Sequence, residues 1–215
     1  MITLPFSGHM WQVRDTARPS YPGPVPYSGT NAYLDAQLRM HLKVTANPVG
    51  VWTAAQVTAT DLMGYGTYTF SVDSPVNALD RNVALGLFSR SSTAKDSARE
   101  IDIEVAKFGR EEKLPSQYVV QPAGAAGHLV REPAPQTTSS VMQFVWRPGR
   151  VDFSSYEAGG RRIAHWTFAG SSVPIEGENQ VTMNLWTFLG QAPSDYKTVE
   201  VIIKKFSYCA LDASC

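Results

Sequence analysis

Apolar and polar residues alternate along this chain in short runs, each bounded by Gly, Pro, Asn, Asp or Ser, and helical periodicity is nearly absent. The runs predict a hairpin pair over residues 33–36 and 37–44. Further strands follow over 56–60, 66–72, 82–88, 100–108 and 117–121, then over 141–147, 150–156, 161–168, 180–186 and 199–208. About a dozen strands without intervening helices specify an all-β chain, an antiparallel sandwich or jelly roll. Turn chemistry agrees. Arg147-Pro148-Gly149-Arg150 joins two strands tightly, Pro fixing one φ and Gly supplying a positive one, and Ala158-Gly159-Gly160 marks the next hairpin tip. Residues 89–98 read as a polar loop. No linker or internal repeat divides residues 1–215, so one domain is expected.

One run departs from the usual apolar-in, polar-out alternation. In Glu100-Ile101-Asp102-Ile103-Glu104 three acids occupy alternate positions, and in a strand they share one face while the isoleucines take the other. Three like charges on one face repel each other and add nothing to a core. A retaining glycosidase needs two carboxyl groups beside the scissile bond, one to attack and one to protonate, and close carboxyls raise one another's pKa enough to keep a proton available. The Cα atoms of Glu100 and Glu104 would stand roughly 13 Å apart at the strand rise, so their side chains must lean together or toward a sugar lying across the strand. Three other readings stay open on the pattern alone: a solvated edge strand, a calcium site, and an inverting hydrolase with more widely spaced acids.

Charge narrows the partners. The 215 residues carry 19 basic and 19 acidic side chains, a formal net charge of zero, and no basic stripe. Nucleic acid and anionic membrane are therefore not expected partners. No stretch approaches the roughly 18 apolar residues of a membrane span. Five Trp, nine Tyr and nine Phe suit a β core or a sugar-stacking groove equally. Cys209 and Cys215, six residues apart, either close a small loop or stand as separate thiols, and they match no metal-ligand spacing. The N-terminal residues lack the regions of a signal peptide, so either the chain is cytosolic or a leader lies outside these residues.

Arg99-Glu100-Ile101-Asp102-Ile103-Glu104 closely resembles the catalytic signature of glycoside hydrolase family 16, the lichenase and laminarinase group. Other segments resemble that family in the same order: Gly64-Tyr65-Gly66-Thr67-Tyr68, Trp146-Arg147-Pro148-Gly149, Met183-Asn184-Leu185-Trp186, and the last strand at 199–208. The resemblance covers roughly residues 33–208. It implies a concanavalin A-like β-jelly-roll sandwich of two curved antiparallel sheets with a groove on the concave face. It also implies an endo-acting retaining hydrolase of a β-linked polysaccharide, most simply a β-glucan, with Glu100 as nucleophile, Glu104 as acid/base and Asp102 as their helper. No extra residue precedes Glu104, which matches the regular strand of lichenases and xyloglucan transglycosylases rather than the bulged strand of laminarinases.

The same resemblance makes Trp186, Asn184, Gln117, Gln121, Gln56, Arg99 and Phe88 candidate substrate-binding residues. Trp186 offers a stacking face, and Asn184 shares its strand face. Relatives often carry Trp or His just before the acids, where this chain has Ser97-Ala98-Arg99, and Trp near Phe88. Those departures leave the sugar open, and Arg99 suggests an anionic or sulfated glycan. Trp52 and Trp146 are core or rim residues in this reading, and His128 and His165 lie in loops or at the surface. The chemistry needs no cofactor, although relatives bind a stabilising calcium away from the site. A monomer outside the cytoplasm is expected, its leader lying outside these residues. A transglycosylase, or a carbohydrate-binding protein without catalysis, could use the same fold.

Overall fold

A computed structural model describes residues 2–91, 93 and 99–215. Its elements follow the alternation. The first eight strands are β1 (Ile2–Phe6), β2 (His9–Val13), β3 (Thr16–Ser20), β4 (Val25–Tyr27), β5 (Ala32–Leu34), β6 (Met40–Ala46), β7 (Trp52–Thr53) and β8 (Ala55–Ala59). Next come β9 (Gly66–Asp73), β10 (Val83–Ser91), β11 (Glu100–Ala106), β12 (Ser116–Val120) and β13 (Leu129–Glu132). The last five are β14 (Ser139–Arg147), β15 (Arg150–Glu157), β16 (Arg162–Ala169), β17 (Asn179–Thr187) and β18 (Val199–Ala210).

Two large antiparallel sheets result. One has the order β1-β2-β8-β17-β10-β11-β12-β13, the other β16-β15-β14-β9-β18-β6-β5 with β7 beside β6. The twelve-residue β18 lies between β9 and β6, binding the C-terminal end of the chain into the middle of the second sheet. Side chains from both sheets fill the space between. Ile101, Ile103 and Val105 of β11 meet a buried cluster that includes Phe70, Phe144, Phe153 and Phe206. Each fully buried large apolar side chain contributes about 1.5–3 kcal/mol, so the apolar half of the alternation holds β11 in register. Trp146 is core, its indole N–H donating to the Pro174 carbonyl at 3.0 Å, whereas Trp52 is half-buried at the rim.

Several features differ from the sequence-based expectation. Residues 2–13 form a further hairpin, whose two-residue turn Ser7-Gly8 has φ of 53° and 82°. Positive φ at both positions matches the turn to the strand twist, and Ser-Gly between alternating residues was the local signal for it. The short β3, β4, β7 and β13 also lay outside the expected set. β10 continues to Ser91, so the polar loop begins later than expected; residues 92 and 94–98 of that loop lie outside the described residues. His128 is buried rather than superficial, its Nδ1 2.8 Å from the Val120 carbonyl and its ring edge-on to Phe168, whereas His165 is exposed on β16. Cys209 and Cys215 are joined in a disulfide. No helix among the described residues is long and apolar enough to cross a membrane.

Candidate active site

β11 is the sixth of eight strands, with β10 and β12 hydrogen-bonded on its two sides, which excludes the solvated edge-strand reading of its acids. Its pairing with both neighbours is regular, without a bulge. Because residues directly opposite on adjacent strands point the same way, the register defines rows of side chains across the outer face of the sheet. One row reads Gln56, Asn184, Gly86, Glu104, Gln117. The next reads Thr58, Thr182, Phe88, Asp102, and the third Gln180, Arg90, Glu100. These side chains, with the exception of Gly86, line one groove of about 720 Å³ together with Arg14, Tyr21, Gln121 and Trp186.

Hydrogen bonds from the neighbouring strand orient the acids. Gln117 Nε2 donates to Glu104 Oε2. Gln121 Nε2 donates to Asp102 Oδ2 at 3.0 Å, and its Oε1 accepts from the Ala123 N–H at 2.8 Å, which fixes the amide the right way round. Asp102 is 3 % exposed. Desolvation, reinforced by the charges of Glu100 and Glu104, pushes its carboxyl well above the ordinary range, with the Gln121 bond opposing. Glu104 is raised chiefly by desolvation against the Gln117 bond, with Glu100 adding a smaller push. Desolvation raises Glu100 too, but the Arg90 guanidinium, 3.5 Å away, and a hydrogen bond with Asp102 both draw it down. Burial raises all three carboxyls, and Glu100 is the one with a guanidinium at salt-bridge distance.

Two further acceptors on the floor have no partner among the described residues: Gln117 Oε1 and Asn184 Oδ1, both buried, on either side of Glu104 in the first row. Gly86 makes room for the second. A Cβ built there would overlap Asn184 Oδ1 and stand 3.4 Å from its Cγ. The unpaired oxygens suit the hydroxyl donors of a sugar.

The expected binding residues separate into three groups. Gln56, Phe88, Gln117, Gln121 and Asn184 line the groove. Trp186 lines it as well, but it is 8 % exposed and packs in a small cluster with Val25, Tyr27 and Ala54, so little of its face is free for stacking. Gly23 presses so close that a Cβ on it would overlap Trp186. Arg99 is not a groove residue. It precedes Glu100 and therefore points to the other side, where its Nη1 lies against Gly177; the groove arginine on this side is Arg90.

Sequence reasoning missed Arg14, Tyr21, Arg90 and Phe108. Arg90 had a signal, since it shares the parity of Phe88 on β10 and stands opposite Glu100. Arg14 and Tyr21 had none, because the chain brings them over the groove from outside the acidic strand's neighbourhood. Tyr21 is 81 % exposed, the most accessible aromatic of the groove, and partial desolvation and then the charges of Glu100, Glu104 and Asp102 push its hydroxyl pKa up. Among the described residues no group of three or more His, Cys, Asp or Glu gathers as a metal-ligand set.

Two packed antiparallel sheets make this a jelly roll, and the fold is similar to that of glycoside hydrolase family 16 structures. Among solved structures it is similar to the β-glucanase of Bacillus licheniformis, with a TM-score of 0.73 and 18 % identity over 96 % of each chain. A β-1,3-1,4-glucanase (lichenase) from a mouse hindgut metagenome is similar over 92 % of each chain, with a TM-score of 0.70 and 18 % identity. The laminarinase of Flavobacterium sp. UMI-01 also covers 92 % of each chain, at a TM-score of 0.71 and 13 % identity. No protein-family model matches the chain, and no curated protein matches it in sequence.

Proposed function

We propose that the chain is a single catalytic domain, a retaining, endo-acting glycoside hydrolase that cleaves a β-linked polysaccharide, β-glucan first. The observation that carries the reading is the placement of Glu100, Asp102 and Glu104 on one groove floor, where burial raises all three carboxyls and Arg90 stands beside Glu100. The β-glucanase, lichenase and laminarinase names of similar structures support the substrate class.

In this reading the Glu100 carboxylate attacks the anomeric carbon while Glu104 gives its proton to the departing glycosidic oxygen. The C–O bond to the leaving sugar breaks as the bond to Glu100 forms. Glu104, now a carboxylate, then takes a proton from water, whose oxygen displaces Glu100 from the same carbon and restores the original configuration. Asp102 touches the reacting pair by its hydrogen bond to Glu100 and holds that carboxylate in line. Gln117 and Gln121 aim the acids, and Tyr21 and Phe88 offer apolar faces to the sugar. No cofactor takes part, and a calcium ion elsewhere would act on stability alone. The protein acts as a monomer outside the cytoplasm, where polysaccharide is met and a disulfide such as Cys209–Cys215 persists.

The test is a panel of neutral glucans with products followed by NMR. The first-formed product should keep the β configuration, and Glu100→Gln should lose at least about a thousandfold in turnover with its fold retained. Inverted product, or normal hydrolysis by Glu100→Gln, would refute the assignment.

A further inference from the structure

Arg14 is the cation of the groove that the proposed chemistry leaves without a use. Arg90 faces Glu100, and Arg131, behind Gln117 in the first row, lies 3.4 Å from Glu112. Arg14 has no carboxylate within salt-bridge distance among the described residues. Its hydrogen bonds go to neutral groups: Nη1 donates to Gln56 Oε1 at 2.8 Å and to the Tyr21 carbonyl at 3.0 Å, and Nη2 to Ser20 Oγ at 2.9 Å. The guanidinium also lies over the Tyr27 ring, 4.0 Å from its centroid. Its Nε–H and one Nη2–H have no partner among the described residues.

These contacts immobilise the side chain without neutralising it. A half-buried guanidinium held among neutral partners has lost part of its hydration and gained no counter-charge. Arg14 also lines a second cavity of about 640 Å³, which shares Gln56 and Thr58 with the first and lies beside it toward the N-terminal hairpin. The acid in that second cavity, Asp15, is turned to the Gly29 N–H at 3.2 Å. Gln56, the Arg14 partner, is three strands from Glu104 in the same row, a separation of roughly 14 Å at ordinary strand spacing. An extended glycan lying across the strands would set a sugar beside Arg14 that is not the one being cleaved.

We infer that Arg14 receives an anionic substituent, a carboxylate or a sulfate, carried by a sugar unit remote from the scissile bond, so that the groove favours an acidic polysaccharide over its neutral counterpart. This rests on the reading of the groove as a polysaccharide site. A planar guanidinium already fixed in place matches either oxyanion by paired hydrogen bonds and loses little further side-chain entropy on binding. Because the formal net charge is zero, bulk attraction to polyanions does not mimic the effect.

The experiment is affinity electrophoresis through gels containing a mixed-linkage β-glucan, the same glucan lightly carboxymethylated, or the same glucan lightly sulfated, run alongside turnover assays. The wild type should bind at least one derivative about tenfold more tightly than the neutral polymer, a preference that declines with salt. The two derivatives tell carboxylate from sulfate. Arg14→Gln should bring the ratio of anionic to neutral affinity close to one, Arg14→Lys should retain part of it, and Arg162→Gln, which removes an exposed charge from β16, should leave it unchanged. No preference in the wild type overturns the inference. So does an Arg14→Gln variant that loses affinity for all polymers by one common factor, which would make Arg14 only a brace for the Tyr21 segment. Absence of both binding and turnover on every polymer overturns the polysaccharide reading itself.

Discussion

Replacing Gly86 by Ala tests whether the groove floor is as tightly fitted as the rows of side chains indicate. Gly86 lies between Asn184 and Glu104, and an added Cβ overlaps Asn184 Oδ1 while reaching Phe88 Cδ1 at 3.5 Å. The overlapped atom is the end of a side chain, so the amide must withdraw by about 1 Å to regain ordinary van der Waals distance. For stability the costs nearly cancel. Gly→Ala in a strand gains about 0.4–1 kcal/mol through the unfolded chain, and mild overpacking costs about 1 kcal/mol. Activity has no such compensation, since a 1 Å misplacement of a positioning group costs on the order of a hundredfold, or about 2.7 kcal/mol in the barrier. Unfolding free energies from urea titration should therefore stay within about 1 kcal/mol of wild type, while kcat/KM on a responsive glucan falls about a hundredfold. A double-mutant cycle with Asn184→Ala isolates the cause. With Asn184 truncated, adding Gly86→Ala should cost little more, because the clash has gone. Additive losses, or undiminished activity in Gly86→Ala, would refute the reasoning.

Two other predictions concern charge. Arg90→Gln removes the cation that favours the Glu100 anion; the pair is more than half exposed on the arginine side and worth at most about 1 kcal/mol, so kcat/KM on the acid limb should fall two- to fivefold, roughly, with that limb moved to higher pH. A limb that stays in place or moves down would exclude that role. Asp102 has a raised carboxyl, and a raised folded-state pKa gives stability that is fully present below the unfolded value, about 3.9, and is lost as pH rises through the folded one. Asp102→Asn should therefore gain on the wild type as pH climbs above about 4, read from urea midpoints across pH 4–9; a difference independent of pH would show that burial does not hold the proton there.

The strand over Glu100–Ala106 and its two faces follow from the isoleucines that need burial and the acids that do not, and the same parity places Gln117 and Gln121 beside them. Parity applied more strictly would have turned Arg99 away from the groove and brought in Gly86 and Arg90. Trp186 was harder, since an aromatic on the groove face can be sheltered by a distant loop, and only the path of residues 21–27 shows that it is. Arg14 and Tyr21 lay beyond any local rule, because their place depends on where the N-terminal hairpin joins the sheet. The Ser7-Gly8 turn marks the hairpin itself, but nothing in the five residues Ile2–Phe6 says which strand of the sheet the hairpin joins.

The N-terminal hairpin holds to its sheet through β2 and β8 alone, five strands' width from the edge formed by β13 on the other side of the acids. The chemistry sits on a strand clamped from both sides, whereas the far end of the groove is built on an appended border. Phe6 and Trp11 tie that border to the core, so it is substitution at outward positions such as Gln12 and Arg14 that changes the groove lining while β11 and its partners keep their register. In the proposed function, substrate preference is thereby set at the margin of the sheet and the reaction at its interior.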